Sequence, residues 1–431
     1  MTLQRRTRAR PPVPLSRLAT VLAVLAVLAV PGLAVGLVAC GAQDSGSEPV
    51  VTSGATDTPH GYVEGADEAT EPQLRLAAID ADDADSGGLT LVDLLTGDSV
   101  DAPAEPEGDE PDVLKESDGR FLFTADDAAV TVTDTGVWTV DHGDHNHYYR
   151  SEPSEVGTVD GDTPGHVVSN ASQVAMFFDG DGAVKVFPRQ ALGDGELTED
   201  VSFDVGAHHG VAVPFEDHVL TTVPGDSDEE LPGTIALYDD AGEEVSDDLT
   251  GDTACPEIHG AAGLRDHVAF ACGDGVLTVD DDLTAAVTPY PQDADGRAWS
   301  LVAGRDLVAA PFEDGGLGVF DPESGEWQIA DTGAPVVSAA VAPDDSTVFA
   351  VDEDGVGYVV DAGSGEVTAQ RQLVDGGGDT APSVVLTRER GYVSDPVAGT
   401  VAELDVRDNL REARSIDVGG HPAAIAVTGD K

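Results

Sequence analysis

The chain is 431 residues long and carries 82 Asp+Glu against 21 Lys+Arg, a formal net charge of −61 at pH 7. That balance argues against nucleic-acid binding, because a long polyanion is repelled by such a field. The acidity reads as a solvated surface suited to solubility or high salt; a diffuse negative field concentrates cations but selects no particular metal.

Residues 1–39 contain no acid, carry Arg5, Arg6, Arg8, Arg10 and Arg17, and run apolar from Leu18 to Ala39, the pattern of a secretory signal. The run closes on LVAC, Leu37 to Cys40, which resembles a bacterial lipobox, where the cysteine is lipidated and becomes the first mature residue. Pro31, Gly32 and Gly36 interrupt the run and argue against a plain transmembrane anchor. The expectation is an extracytoplasmic domain that touches the cell membrane only through a lipid on Cys40. Residues 40–72, rich in Gly, Ser, Thr, Glu and Asp without an apolar period, read as a flexible acidic tether. One stretch inside it stands out: PHGYVEGADE, Pro59 to Glu68, with His60 and Tyr62.

From residue 73 to 431 short Val/Leu/Ala/Thr/Phe runs alternate with Asp-Gly turns, and no amphipathic helix emerges. Segments starting at Pro111, Gly165, His208, Ile258, Ala298, Ala334 and Ala381 share one plan: small-residue strand, polar turn, hydrophobic strand, Asp/Gly turn, third strand. A period near 40 residues with four short strands marks a β-propeller blade. His421–Asp430 supplies only a first strand, while Leu74–Ala102 supplies a second, third and fourth. The fold class is therefore all-β, a β-propeller of eight blades (seven if one blade is misphased), closed by pairing the N- and C-terminal strands.

Eleven histidines are present, and three lie within HGDHNH, His142 to His147. This segment follows GVWTVD, read as the outer strand of the first full blade, which places it in a loop from outer to inner strand. Inner strands begin on that same face, and there the blades carry His166, His208 with His209, His259 and His421; the others carry Pro111, Trp299, Pro335 and Pro382. One histidine-lined face is expected. His218 and His267 fall in turns at the opposite face and read as ordinary turn residues. FDGDGAV near Asp179 lacks the later carboxylates of a calcium loop and reads as a turn. Imidazole with carboxylate suits a borderline ion such as zinc, with His142, Asp144, His145 and His147 as first candidates. Asp144 serves alternatively by accepting an imidazole N–H. Cys255 and Cys272, an isolated pair in an oxidising compartment, are expected to form a disulfide. Neither a phosphate-cradling Gly-Lys-Ser/Thr loop nor a G-x-S-x-G elbow is present.

HGDHNH, AHHGVAVP (Ala207–Pro214), ACPEIHG (Ala254–Gly260) with Cys272 following, GHPAAIAV near the C-terminus and the early HGYVEGA together resemble the AztD-type zinc metallochaperones. The resemblance spans about residues 59–431. It implies an extracytoplasmic β-propeller that is a binding and transfer protein rather than an enzyme, carries zinc, and hands it to the zinc-specific solute-binding protein of an ABC importer. The lipobox departs from the soluble periplasmic form of that family. His60 on the arm is then a transient ligand during exchange. A copper reductase of the nitrous-oxide type also lines a propeller channel with histidine, but it needs a second, cysteine-rich copper domain that this chain lacks. A scaffold propeller needs no such concentration of histidine.

Overall fold

A computed structural model describes residues 61–80, 88–103, 113–225, 231–251, 254–294, 296–376, 378 and 380–430. The signal, Cys40 and His60 lie outside these residues. Among those described, strands form eight four-stranded antiparallel sheets and one three-stranded sheet, and the single helix is the five-residue Arg189–Gly193.

Seven sheets are built from consecutive strands in order, the first having its fourth strand after an insertion: Val113–Ser117, Phe121–Ala125, Ala129–Asp134, then Ser154–Asp160. The eighth joins Pro422–Thr428 to Arg75–Asp80, Leu89–Asp93 and Ser99–Val100, so both ends of the chain close the ring as the strand pattern required. Inner strands start at Val113, Pro164, Ala212, Ala261, Val302, Val336, Val384 and Pro422, and each touches the next, the last touching the first. A closed ring of outward-radiating four-stranded sheets is a β-propeller.

Second strands read as short continuous apolar runs, such as QVAMFF and TVFAVD, because both of their faces are covered by neighbouring sheets. Each core cluster is accordingly shared between adjacent sheets: Phe121, Phe123, Val174, Met176 and Phe178 pack between the first and second, and Ala309, Leu317, Val319, Val348 and Ala350 between the fifth and sixth. Fourth strands are largely exposed, as in VTAQRQ.

Antiparallel order fixes two ends. The entry face holds the starts of inner strands and the turns from second to third strands. The exit face holds the turns from first to second and from third to fourth strands.

Here one expectation fails. GVWTVD is not an outer strand. Val137–Asp141 pairs with Asn146–Arg150 in a hairpin inserted between the third and fourth strands of the first sheet, and Asp67–Ala69 adds a third strand to it, Glu68 opposite Tyr149. Trp138 stacks on Tyr149 with ring centroids 5.3 Å apart, and its Nε1 donates to the Gly61 carbonyl at 3.0 Å. Part of the stretch read as tether is therefore strand. Because the insertion leaves from a turn between third and fourth strands, HGDHNH lies on the exit face: the Thr139 hydroxyl donates to the Gly429 carbonyl at 2.7 Å, just past the far end of the closing inner strand.

Candidate metal-binding sites

The histidines do not share one face. They form two triads, one at each end of the ring.

The exit-face triad is the hairpin tip. Asp141 and Asn146 pair across it, the Gly143 N–H donates to Asp141 Oδ1 at 2.6 Å, and Gly143 takes a φ of +82° that a side chain disfavours. This tight turn brings together the rings of His142, His145 and His147, with centroids 5.2, 5.0 and 5.0 Å apart. His145 Nδ1 meets Asp144 Oδ1 at 2.7 Å, and His147 Nδ1 meets Glu68 Oε1 at 2.7 Å. Asp144 is thus a partner of an imidazole, and that hydrogen bond holds its carboxyl below the usual carboxylate range. Glu68 was missed in the sequence; its only signal was the unexplained PHGYVEGADE, whose strand delivers it.

The entry-face triad comes from the entries of three successive inner strands: His166 within its strand, His209 and His259 just before theirs. Ring centroids stand 5.0 Å (166–209), 4.9 Å (209–259) and 5.8 Å (166–259) apart. Each Nδ1 faces an oxygen: Gly210 O at 3.0 Å for His166, Asp179 Oδ2 at 2.6 Å for His209, and Trp299 O at 2.7 Å for His259. A carbonyl or carboxylate oxygen only accepts, so each Nδ1 carries a hydrogen, and in the neutral ring each Nε2 presents a lone pair. His209 Nε2 and His259 Nε2 are 3.2 Å apart. Two neutral rings so placed repel, and the contact is relieved by a shared proton or by a metal ion between the two nitrogens. Burial pushes the His166 pKa down to about 4, with the neighbouring His209 adding to the shift, and burial also lowers His259. Asp179, from the FDGDGAV turn between second and third strands, was missed as a partner because that turn was read only as a turn; the strand order itself places it on the entry face. A Cβ at Gly165 would lie 2.0 Å from Asp179 Oδ1, so this carboxylate reaches His209 only because residue 165 has no side chain.

Two candidates stand apart. His208 is turned inward, 7% exposed, against Phe177. Its Nδ1 donates to Gly206 O at 2.8 Å and its Nε2 accepts from the Thr222 hydroxyl at 2.9 Å, so both nitrogens are committed to the fold, and the adjacent His209 takes the site position instead. His421 occupies the equivalent entry-face start in the closing sheet, two sheets round from His166, with Nδ1 on Pro396 O at 2.9 Å. His218 and His267 begin second strands on the exit face, as ordinary turn residues do.

Cys255 and Cys272 form a disulfide with Cα atoms 5.0 Å apart. It ties the segment entering the fourth inner strand to the end of the second strand, beside His259, whose N–H donates to Ala271 O at 2.9 Å.

Around a tetrahedral zinc with Zn–N of about 2.0–2.1 Å, ligating nitrogens lie about 3.3 Å apart and imidazole centroids about 5 Å. Both triads stand near these spacings. Among the described residues no group of three or more His, Cys, Asp or Glu is already arranged to hold a metal ion, so closing either set takes side-chain rotation.

No family model matches the chain. Zinc chaperone AztD of Citrobacter koseri is 25% identical over 365 residues, covering 80% of this chain and 85% of that one. The chain resembles AztD over most of its length. Two solved AztD structures from the same organism, one of them apo, superpose with a TM-score of 0.73 each at 23% and 24% identity, covering 84% and 83% of this chain and 99% and 98% of theirs. AztD and this chain therefore share the propeller from nearly end to end. The dihydro-heme d1 dehydrogenase NirN superposes at a TM-score of 0.54 with 11% identity, covering 82% of this chain and 74% of its own; that likeness is one of fold, whereas the likeness to AztD is also one of sequence.

Proposed function

We propose that this protein is an extracytoplasmic zinc chaperone, tethered to the cell membrane by a lipid on Cys40, that passes zinc to the zinc-specific solute-binding protein of an ABC importer. The observation that carries the reading is the contact between His209 and His259: two Nε2 lone pairs 3.2 Å apart, with both Nδ1 atoms held by oxygens. That contact is unfavourable between two neutral rings, and it is near the spacing of two zinc ligands. The oxygens behind each ring fix the tautomer and raise ligand basicity. The relative's name, zinc chaperone, and its sequence likeness support the same cargo.

Transfer follows from openness. Side chains of His145 and His209 are 57% and 42% exposed, so an approaching acceptor can replace ligands one at a time. Zinc has no geometric preference from d electrons that would resist a changing coordination shell. In this reading His60 on the arm serves as a transient ligand, His421 lies on the rim outside the entry triad, and chemistry on substrates plays no part. The test mixes zinc-loaded protein with metal-free acceptor and excess chelator that scavenges only free ion. The acceptor is expected to fill faster than the donor alone releases zinc, at a rate that rises with acceptor concentration. Filling no faster than spontaneous release would make the protein a store instead.

A further inference from the structure

Between the sixth and seventh sheets, on the exit face, lies a cavity of about 590 Å³ that the zinc sites do not use. Three guanidinium groups line it from three separate turns: Arg305 between the first two strands of the fifth sheet, Arg388 between the first two of the seventh, and Arg407 between the third and fourth of the seventh. Among the described residues neither Arg388 nor Arg407 has a carboxylate within ion-pair distance; Arg407 Nη2 donates instead to the Arg388 carbonyl at 3.3 Å. Arg305 has only Asp306, at 3.9 Å. Of the arginines nearby, Arg411 lies 2.6 Å from Asp408 and Arg414 2.7 Å from Glu403, whereas Arg371 donates to the Leu410 carbonyl at 3.1 Å. Arg388 and Arg407 thus bring two guanidiniums without an ion pair to one cavity. The single carboxylate of the lining, Asp344, accepts from the Ser346 hydroxyl at 2.6 Å and lies in the field of Arg407 without forming an ion pair with it. Val359, Leu386 and Val406 add apolar surface to the lining.

We infer that this cavity binds a small organic polycarboxylate. Its volume suits a small molecule, whose sites run to about 300–1,000 Å³. Each guanidinium is a planar fork that takes a carboxylate through two parallel N–H donors, and forks arriving from separate turns match acid groups carried at different points of one ligand. The carbon skeleton then lies against the apolar lining. A monocarboxylate offers one acid group to the forks, and a lone phosphate has no carbon skeleton to set against that lining.

The test titrates the metal-free full-length protein with citrate at low salt by calorimetry, with acetate and inorganic phosphate in parallel. Saturable one-to-one binding of citrate is expected, at least about tenfold tighter than either comparison anion. The double variant R388Q/R407Q should lose about tenfold or more in affinity, while R265Q, whose arginine is paired with Asp266 and Asp306 outside the cavity, should bind as the unchanged protein does. A measurement needing no variant is phenylglyoxal labelling read by peptide mass spectrometry: citrate should protect Arg388 and Arg407 and leave Arg265 reactive. Absence of saturable binding, phosphate binding as tightly as citrate, or labelling of Arg388 and Arg407 unaffected by citrate each overturns the assignment.

Discussion

Two adjacent residues, His208 and His209, have opposite employment, and the difference is decided by what their nitrogens meet. His208 fills a buried slot with both nitrogens bonded, so His208→Ala should destabilise the domain by about 1–3 kcal/mol, the cost of stranding its buried partners. Its zinc affinity should change little. His209→Ala should leave urea unfolding nearly untouched and weaken zinc binding at the entry face by about a hundredfold, since even outer partners of metal ligands are worth about 10- to 100-fold. Competition against a chromophoric chelator, alongside urea titration, separates the two. His166 adds a pH signature. Its folded pKa, about 4, lies below the unfolded value of 6.5, so between those pH values the unfolded chain takes up a proton that the native state refuses. Stability of the metal-free protein should therefore fall as pH drops from about 6.5 towards 4, by up to roughly 3 kcal/mol, and level off below that. Urea midpoints at pH 7 and 4.5 should show this component in the unchanged protein and not in His166→Gln; an identical slope in both would refute it.

At the level of elements, the fourth sheet depends on a covalent staple. Cys255 and Cys272 are 17 residues apart, and closing a loop of that size is worth about 3 kcal/mol. Reduction should lower stability by about that amount and loosen the segment bearing His259, reducing zinc affinity at the entry face while the hairpin triad keeps its own. Zinc titration of reduced protein carrying either triad alone checks this. The repeat of small-residue, hydrophobic and third strands was legible because every blade is buried the same way, and the closing sheet was legible because each end supplied what the other lacked. The hairpin was not. GVWTVD has the alternation of an outer strand, and only the pairing of SEVGTVD with Ala129–Asp134 reveals that the true outer strand comes later. One misread strand moved HGDHNH to the wrong face, since each strand reverses the chain's direction. Contacts such as Glu68 to His147 and Asp179 to His209, 79 and 30 residues apart, follow from tertiary placement that no local pattern encodes.

For the whole molecule, two triads at opposite ends of the ring predict two zinc ions per chain. Replacing His142, His145 and His147 with alanine should remove one ion, and replacing His166, His209 and His259 the other; elemental analysis after gel filtration counts them. If either triple variant still carries both, its triad is not a site. The acidic field bears on how fast zinc arrives: the association rate should fall as salt rises, because screening shortens the reach of the surface charge. The closing sheet has a consequence for biogenesis. Its inner strand, Pro422–Thr428, pairs along its length with Arg75–Asp80, more than 340 residues earlier, so the ring stays open until that strand has been made. A chain that cannot lock its fold early remains threadable, which is the condition for passage through a narrow export channel. If the chain is exported as proposed, folding should begin in earnest only on the far side, where an oxidant can also join Cys255 to Cys272.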